Sequence, residues 1–275
     1  MPSAPSGSRP RPKKRFSQNF LVNLGAARRI VEALNLSGSE IVLEIGAGQG
    51  VLTQFLAEKA KKTYAVELDR GLASFLTEKF AQAEKVQIIS ADILKVRLED
   101  YVSLPNKIKI VGNLPYQITS PVLDWIVNQR EFIELAVVTV QKEVAQRICA
   151  QPGTREWSPL SIFCQVYFRP KILFTLSAGS FFPAPKVQSA VVRLQIVDQL
   201  VLKSEDEEPF FELIQRIFSA RRKTLLKTLS DKEGLPRNQV EQVLERVGRN
   251  SRTRGETLTI LELLRLAEGL KQIAR

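Results

Sequence analysis

Two short stretches of this chain have residue types and spacing suited to group transfer. The first is Asn113-Leu114-Pro115-Tyr116. An asparagine side-chain oxygen and the Pro115 carbonyl can together accept both hydrogens of an exocyclic amine. Tyr116 adds a flat face for base stacking, a contribution of roughly 1–3 kcal/mol per base. The second is the turn Glu44-Ile45-Gly46-Ala47-Gly48-Gln49-Gly50. Its glycines let the backbone turn sharply and approach a ligand closely. Taken singly, each has a plainer reading: an Asn-capped turn beside a buried tyrosine, and a tight strand-to-helix turn without a ligand.

The chain also excludes much chemistry. It has no histidine and only two cysteines, Cys149 and Cys164. Ser-His-Asp and Cys-His catalysis, His-ligated metals and a four-cysteine zinc site are therefore out. No bound metal is expected, and the cysteines read as small packing residues. Carboxylates, amides, aromatics and backbone groups must do the work.

The surrounding pattern supplies the elements that hold these residues. Ile41–Ile45 reads as a short buried strand ending at Gly46, followed by a helix carrying Leu52, Phe55 and Leu56. Thr63–Val66 reads as a strand ending at Glu67, Leu72–Phe80 as a helix, and Val86–Ile89 as a strand ending near Asp92. Ile108–Val111 runs as a strand into Asn113, Pro121–Val127 suggests a helix, and Leu135–Val140 a fifth strand. Such alternation predicts an α/β fold, a parallel sheet covered on both faces. Ligands there bind beyond the carboxyl ends of the strands, where Glu67, Asp92 and Asn113 all fall. The glycine spacing is G-x-G-x-G, not the G-x-G-x-x-G that seats a dinucleotide pyrophosphate. Glu67 lies 21 residues beyond Gly46, placed to accept ribose hydroxyls. A nucleoside without a pyrophosphate fits best, and S-adenosylmethionine is the common one. Glu44 and the turn are expected to face its amino-acid part, and Asp92 its adenine amine.

The two stretches, with Phe181-Phe182-Pro183-Ala184-Pro185-Lys186-Val187, resemble those of the ribosomal RNA adenine N6-dimethyltransferase family. The opening segment Lys14-Arg15-Phe16-Ser17-Gln18-Asn19-Phe20-Leu21 is similar to that family's first motif. Phe218-Ser219-Ala220-Arg221-Arg222-Lys223-Thr224-Leu225 looks like its helical-domain signature. The five motifs come in the family's order, from about residue 13 onward. One position departs: the family usually has glycine where this chain has Ser17.

The resemblance implies a Rossmann-like methyltransferase sheet with a small C-terminal all-helical domain. It implies S-adenosylmethionine contacts from Asn19, Leu21, Gly46, Glu67, Asp92 and Asn113. It implies base contacts from Asn113, Tyr116 and Phe181, the last stacking on a flipped adenine. The chain is most similar to the small-subunit branch, whose enzymes dimethylate two adjacent adenosines in the 3′-terminal hairpin of 16S rRNA. The large-subunit (23S) branch shares the motifs. A non-catalytic RNA-binding factor would be expected to lose Asn113, Tyr116 or the glycine turn, and all are present. A nicotinamide dehydrogenase is disfavoured by the glycine spacing and the missing histidine.

Charge fits the resemblance. The net charge is +11, with a sequence pI near 9.8, and so strong an excess favours nucleic acid. Arg9–Arg15 carries +5, Arg216–Lys227 +5 and Arg246–Arg254 +4, all without an acid. These runs hold +14 against +11 for the whole chain, which leaves the rest at −3. RNA contact is therefore expected on a disordered basic arm over residues 1–12 and on the helical domain. The domains are expected at 13–200 and 210–275, joined by a polar linker at 201–209. No apolar run approaches the roughly 18 residues of a membrane span, and no signal-like stretch follows Met1. A cytoplasmic monomer acting on an immature 30S subunit, away from membranes, is the expectation.

Overall fold

The computed structural model describes residues 18–273. The arm over 1–12, the basic run at 9–15 and Ser17 lie outside the described residues. The chain runs β1 (Phe20–Leu21), α1 (Leu24–Glu32), β2 (Ile41–Ile45), α2 (Val51–Lys59), β3 (Lys62–Glu67), α3 (Arg70–Lys79) and β4 (Val86–Ser90). It continues β5 (Ile108–Asn113), α4 (Thr119–Asn128), β6 (Ile133–Gln141), α5 (Lys142–Ile148), α6 (Pro159–Tyr167), β7 (Phe168–Leu176), β8 (Phe181–Phe182) and β9 (Ser189–Ile196). Four helices follow: α7 (Ser204–Phe218), α8 (Leu225–Glu233), α9 (Arg237–Arg246) and α10 (Ile260–Ile273).

The main sheet has the order β4-β3-β2-β5-β6-β9-β7. The first five strands are parallel, while β9 runs antiparallel to β6. The fold is thus a Rossmann-like α/β sheet: the five strands expected from sequence are parallel, and β9 adds an antiparallel strand. β9 is reached from β7 without an intervening α-helix, so the alternation that implies a parallel strand is absent there. From β2 the chain winds outward to β3 and β4, then returns to β5 on β2's other side. That reversal opens a crevice beyond the carboxyl ends of β2 and β5, where Gly46 and Asn113 stand.

The β2 sequence is β-branched and apolar, and the strand is almost wholly buried. It stops at the glycine turn, and α2 starts from Gly50 at φ +75°. A Cβ at Gly50 would sit 2.6 Å from the Phe80 ring and 2.8 Å from Leu76. Conformation and space both require glycine there. One core cluster joins α1 and α2 to the sheet through Ile30, Leu34, Leu56, Val42, Val111 and Val137. Each such side chain contributes about 1.5–3 kcal/mol on burial. Asn23 caps α1 by accepting the Ala26 N–H at 2.9 Å. At the far end of α1, the buried Lys109 Nζ of β5 donates to the Leu34 and Asn35 carbonyls, both at 3.1 Å. It also pairs with Glu40 at 3.4 Å, so its charge is compensated. Trp125 is buried and donates to the Val96 carbonyl at 2.9 Å, and Trp157 is buried too.

The chain divides into two compact units. One holds the described residues up to Ala145 with Arg169–Ile196, the other Gln146–Phe168 with everything from Val197 on. The helical unit therefore borrows α6 from earlier in the chain. The Phe163 ring lies 5.6 Å from Phe211 on α7, and the Tyr167 hydroxyl donates to Glu207 at 2.8 Å. The linker expected at 201–209 is corrected as well, because Ser204–Pro209 is the start of α7. Glu205, Asp206 and Glu207 occupy its first turn, where carboxylates complement the positive end of the helix dipole.

Candidate active site

The crevice is lined by six segments that are distant in sequence. The opening segment gives Gln18, Asn19 and Phe20, and the glycine turn gives Gly46 and Gly48. The ends of β3 and β4 give Glu67, Leu68, Asp92 and Ile93. Asn113 through Tyr116 close one side, and Phe181 faces in from β8. Of the residues expected from sequence, Asn19, Gly46, Glu67, Asp92, Asn113, Pro115, Tyr116 and Phe181 are all brought together.

Leu21 is not. Successive strand residues face opposite ways; Phe20 turns to the crevice, while Leu21 joins the hydrophobic core. Only its backbone remains for a ligand. Glu44 also departs from expectation. It is buried beneath the turn and accepts the Thr53 hydroxyl at 2.6 Å. Burial pushes its carboxyl up to about 8, opposed by the Thr53 donation and reinforced by the Glu67 charge. It supports the turn from below and does not line the crevice.

Glu67 is built into the glycine turn. One oxygen accepts the Gly48 N–H at 2.9 Å, the other the Asp69 N–H at 2.8 Å. Burial raises its pKa, and the two backbone donors pull it back. These bonds fix the carboxylate's plane, and each oxygen keeps a second lone pair for a diol. Gly48 has φ +58°, and a Cβ there would lie 3.1 Å from the Phe20 ring. Phe20 therefore covers the turn directly. Asp92 caps the short turn after β4 through one oxygen, accepting Leu94 N–H at 3.1 Å. A glycine turn beside two carboxylates suits a nucleoside with a cationic tail, which is the shape of S-adenosylmethionine.

Asn113 Nδ2 donates to the Asn19 carbonyl at 2.9 Å. The bond sets which way the amide faces and leaves Oδ1 as the acceptor on the other side. The Pro115 carbonyl accepts the Ile118 N–H at 3.1 Å, so one of its lone pairs is already engaged. The Tyr116 hydroxyl meets Ser189 Oγ at 2.8 Å. β1 pairs with β8, Phe20 opposite Phe182 and Leu21 opposite Phe181. This ribbon joins the opening segment to the Phe181 segment over the crevice. Sequence reading assigned no role to Phe20 or Ser189, although both lie within or just beyond quoted motifs.

The helical unit brings two basic runs together. The Leu225 N–H donates to the Thr253 carbonyl at 2.8 Å, placing Arg222 and Lys223 beside Arg252 and Arg254, all exposed. Arg249, in the same run, is committed to Glu262 through two bonds of 2.8 and 3.1 Å.

Comparison with known proteins agrees with this geometry. Residues 10–272 match the family model described as ribosomal RNA adenine dimethylase. The ribosomal RNA small subunit methyltransferase A of Koribacter versatilis is 38% identical, covering 98% of each chain. That of Geobacillus thermodenitrificans is also 38% identical, over 96% of this chain and 92% of its own. Among solved structures, a Plasmodium falciparum dimethyladenosine transferase superposes with a TM-score of 0.81 at 26% identity, covering 93% and 98% of the two chains. The 23S rRNA methyltransferase ErmE gives 0.74 at 30%, covering 92% and 100%. The chain belongs to the ribosomal RNA adenine dimethylase family, and is an rRNA adenine dimethyltransferase that draws on S-adenosylmethionine.

Proposed function

We propose that the substrate is 16S rRNA in an immature 30S subunit, and that the enzyme dimethylates N6 of two adjacent adenosines in the 3′-terminal hairpin, acting as a monomer in the cytoplasm. The observation that carries the chemistry is the Asn113–Asn19 hydrogen bond, which leaves Asn113 Oδ1 to accept beside Tyr116 and Phe181. The names of the small-subunit relatives support the choice of target.

Asn19, Gly46, Glu67 and Asp92, with Asn113 and the Leu21 backbone, would hold S-adenosylmethionine, which supplies a methyl group on a positively charged sulfur. The adenine N6 lone pair is delocalised into the ring and is a poor nucleophile. Asn113 Oδ1 and the remaining lone pair of the Pro115 carbonyl hold both amine protons and favour a pyramidal nitrogen. Tyr116 and Phe181 present flat faces to the base. Placement of this kind is worth on the order of 7–11 kcal/mol. No strong base is needed, since the nitrogen is cationic after transfer and loses its proton readily. The adenine must leave its stack to reach the crevice. Arg222, Lys223, Arg252 and Arg254 supply phosphate contacts for the surrounding RNA.

The test is mass-spectrometric mapping of N6,N6-dimethyladenosine in rRNA from cells lacking the gene. Loss of the modification from 16S rRNA, restored by the intact gene, is the expected result. Loss from 23S rRNA instead would transfer the activity to the large subunit.

A further inference from the structure

We infer that Ser189 is a positioning residue for base capture, its hydroxyl holding the Tyr116 ring axis in one direction. The inference rests on the reading that Tyr116 stacks on the target adenine. The two oxygens lie 2.8 Å apart. Ser189 is fully buried and is the first residue of β9, opposite Gln141 at the end of β6. That corner is pinned: the Lys142 N–H donates to the Gln188 carbonyl at 2.9 Å, and Lys142 Nζ to Gln188 Oε1 at 2.8 Å.

At its other end, Tyr116 is held by the turn in which the Ile118 N–H bonds to the Pro115 carbonyl. A tyrosine ring has two side-chain torsions. Fixing the backbone at one end and the hydroxyl at the other removes the swing that would tilt the ring off a base. The same segment begins with Phe181, the other aromatic at the crevice. One stretch of chain thus supplies one aromatic face and anchors the other, within a support that a preorganised site requires.

The test uses the full chain with target RNA, comparing S189A, Y116F, the double variant, S189T and Tyr116→Ala. S189A and Y116F should each lower kcat about three- to tenfold, the range of one hydrogen bond. KM for RNA should move less than twofold, because phosphate contacts set it. The double variant should be no slower than either single one, since both break the same bond. S189T, which keeps a hydroxyl, should restore kcat. With 2-aminopurine at the target position, the S189A and Y116F complexes should be brighter than wild type, as stacking on a fixed ring quenches the flipped base.

Wild-type kcat and fluorescence in S189A, or additive losses in the double variant, would overturn the assignment. If S189A does not fold, Y116F carries the same test from the tyrosine side, and an unchanged kcat and fluorescence there has the same meaning. If Tyr116→Ala itself methylates at the wild-type rate, the stacking reading fails and takes the anchor with it. If Tyr116→Ala is slow while S189A is not, only the anchor fails.

Discussion

Glu44 in the sheet unit and Glu262 in the helical unit are carboxyls with opposite fates. Glu44 is sealed under the glycine turn, and burial pushes it up to about 8. Glu262 accepts two hydrogen bonds from Arg249, which hold it down at about 2 despite partial burial. The contrast extends to the two sites. The crevice would work through singly placed groups, Glu67 and Asn113 among them, whose hydrogen bonds fix their geometry. The helical unit would bind through exposed charge, with Arg222, Lys223, Arg252 and Arg254 facing solvent. Chemistry that depends on placement should fail sharply when one group is removed; binding that depends on summed charge should decline by degrees.

Three perturbations probe that difference. The largest effect is expected from Tyr116→Ala and Phe181→Ala, each slowing methyl transfer by about 5- to 150-fold, the range of one base stack. Single-turnover assays at saturating RNA measure it, and unchanged rates in both would remove stacking from the crevice.

The next is a pH effect on stability. Glu44 ionises near 4.5 in the unfolded chain and near 8 in the folded one. Its contribution is therefore fully present below pH 4.5 and is lost as pH rises towards 8. Denaturant unfolding should show Glu44→Gln flattening this fall, by on the order of a few kcal/mol. Parallel curves for the two proteins would mean that Glu44 is already ionised in the fold.

The smallest is graded. Replacing Arg222 and Lys223 with glutamine should reduce the slope of log affinity against log salt by roughly 0.7–0.9 for each phosphate no longer neutralised, with kcat retained. An equal fall in kcat would show that the patch is part of the chemistry.

Much of the crevice was legible because its signals are local. Ile41–Ile45 ends at a glycine, and Glu67, Asp92 and Asn113 follow short apolar runs, so the strands and their tips could be read from sequence. What was not legible depends on partners far along the chain. Strand direction at β9, the inward turn of Leu21 and the burial of Glu44 are set by packing. The run at 204–208 looks like a linker because it is acidic, yet those acids suit the first turn of α7. Arg249 reads as one more basic residue until Glu262, 13 residues on, is brought against it. The opening segment could be matched by resemblance, but the bond from Asn113 to the Asn19 carbonyl spans 94 residues and appears only in the fold.

On this mechanism catalysis resides in the placement of one amide, and RNA affinity resides elsewhere. Asn113→Ala tests it most directly, with labelled-methyl incorporation into 30S subunits and RNA dissociation constants measured on the same preparation. Incorporation should fall by about a hundredfold or more, the scale of removing one preorganised polar group from the reacting centre, while the dissociation constant stays within about twofold. Near-wild-type incorporation would remove Asn113 from the reacting centre, and a parallel loss of binding and methyl transfer would mean that the amide serves RNA affinity as well.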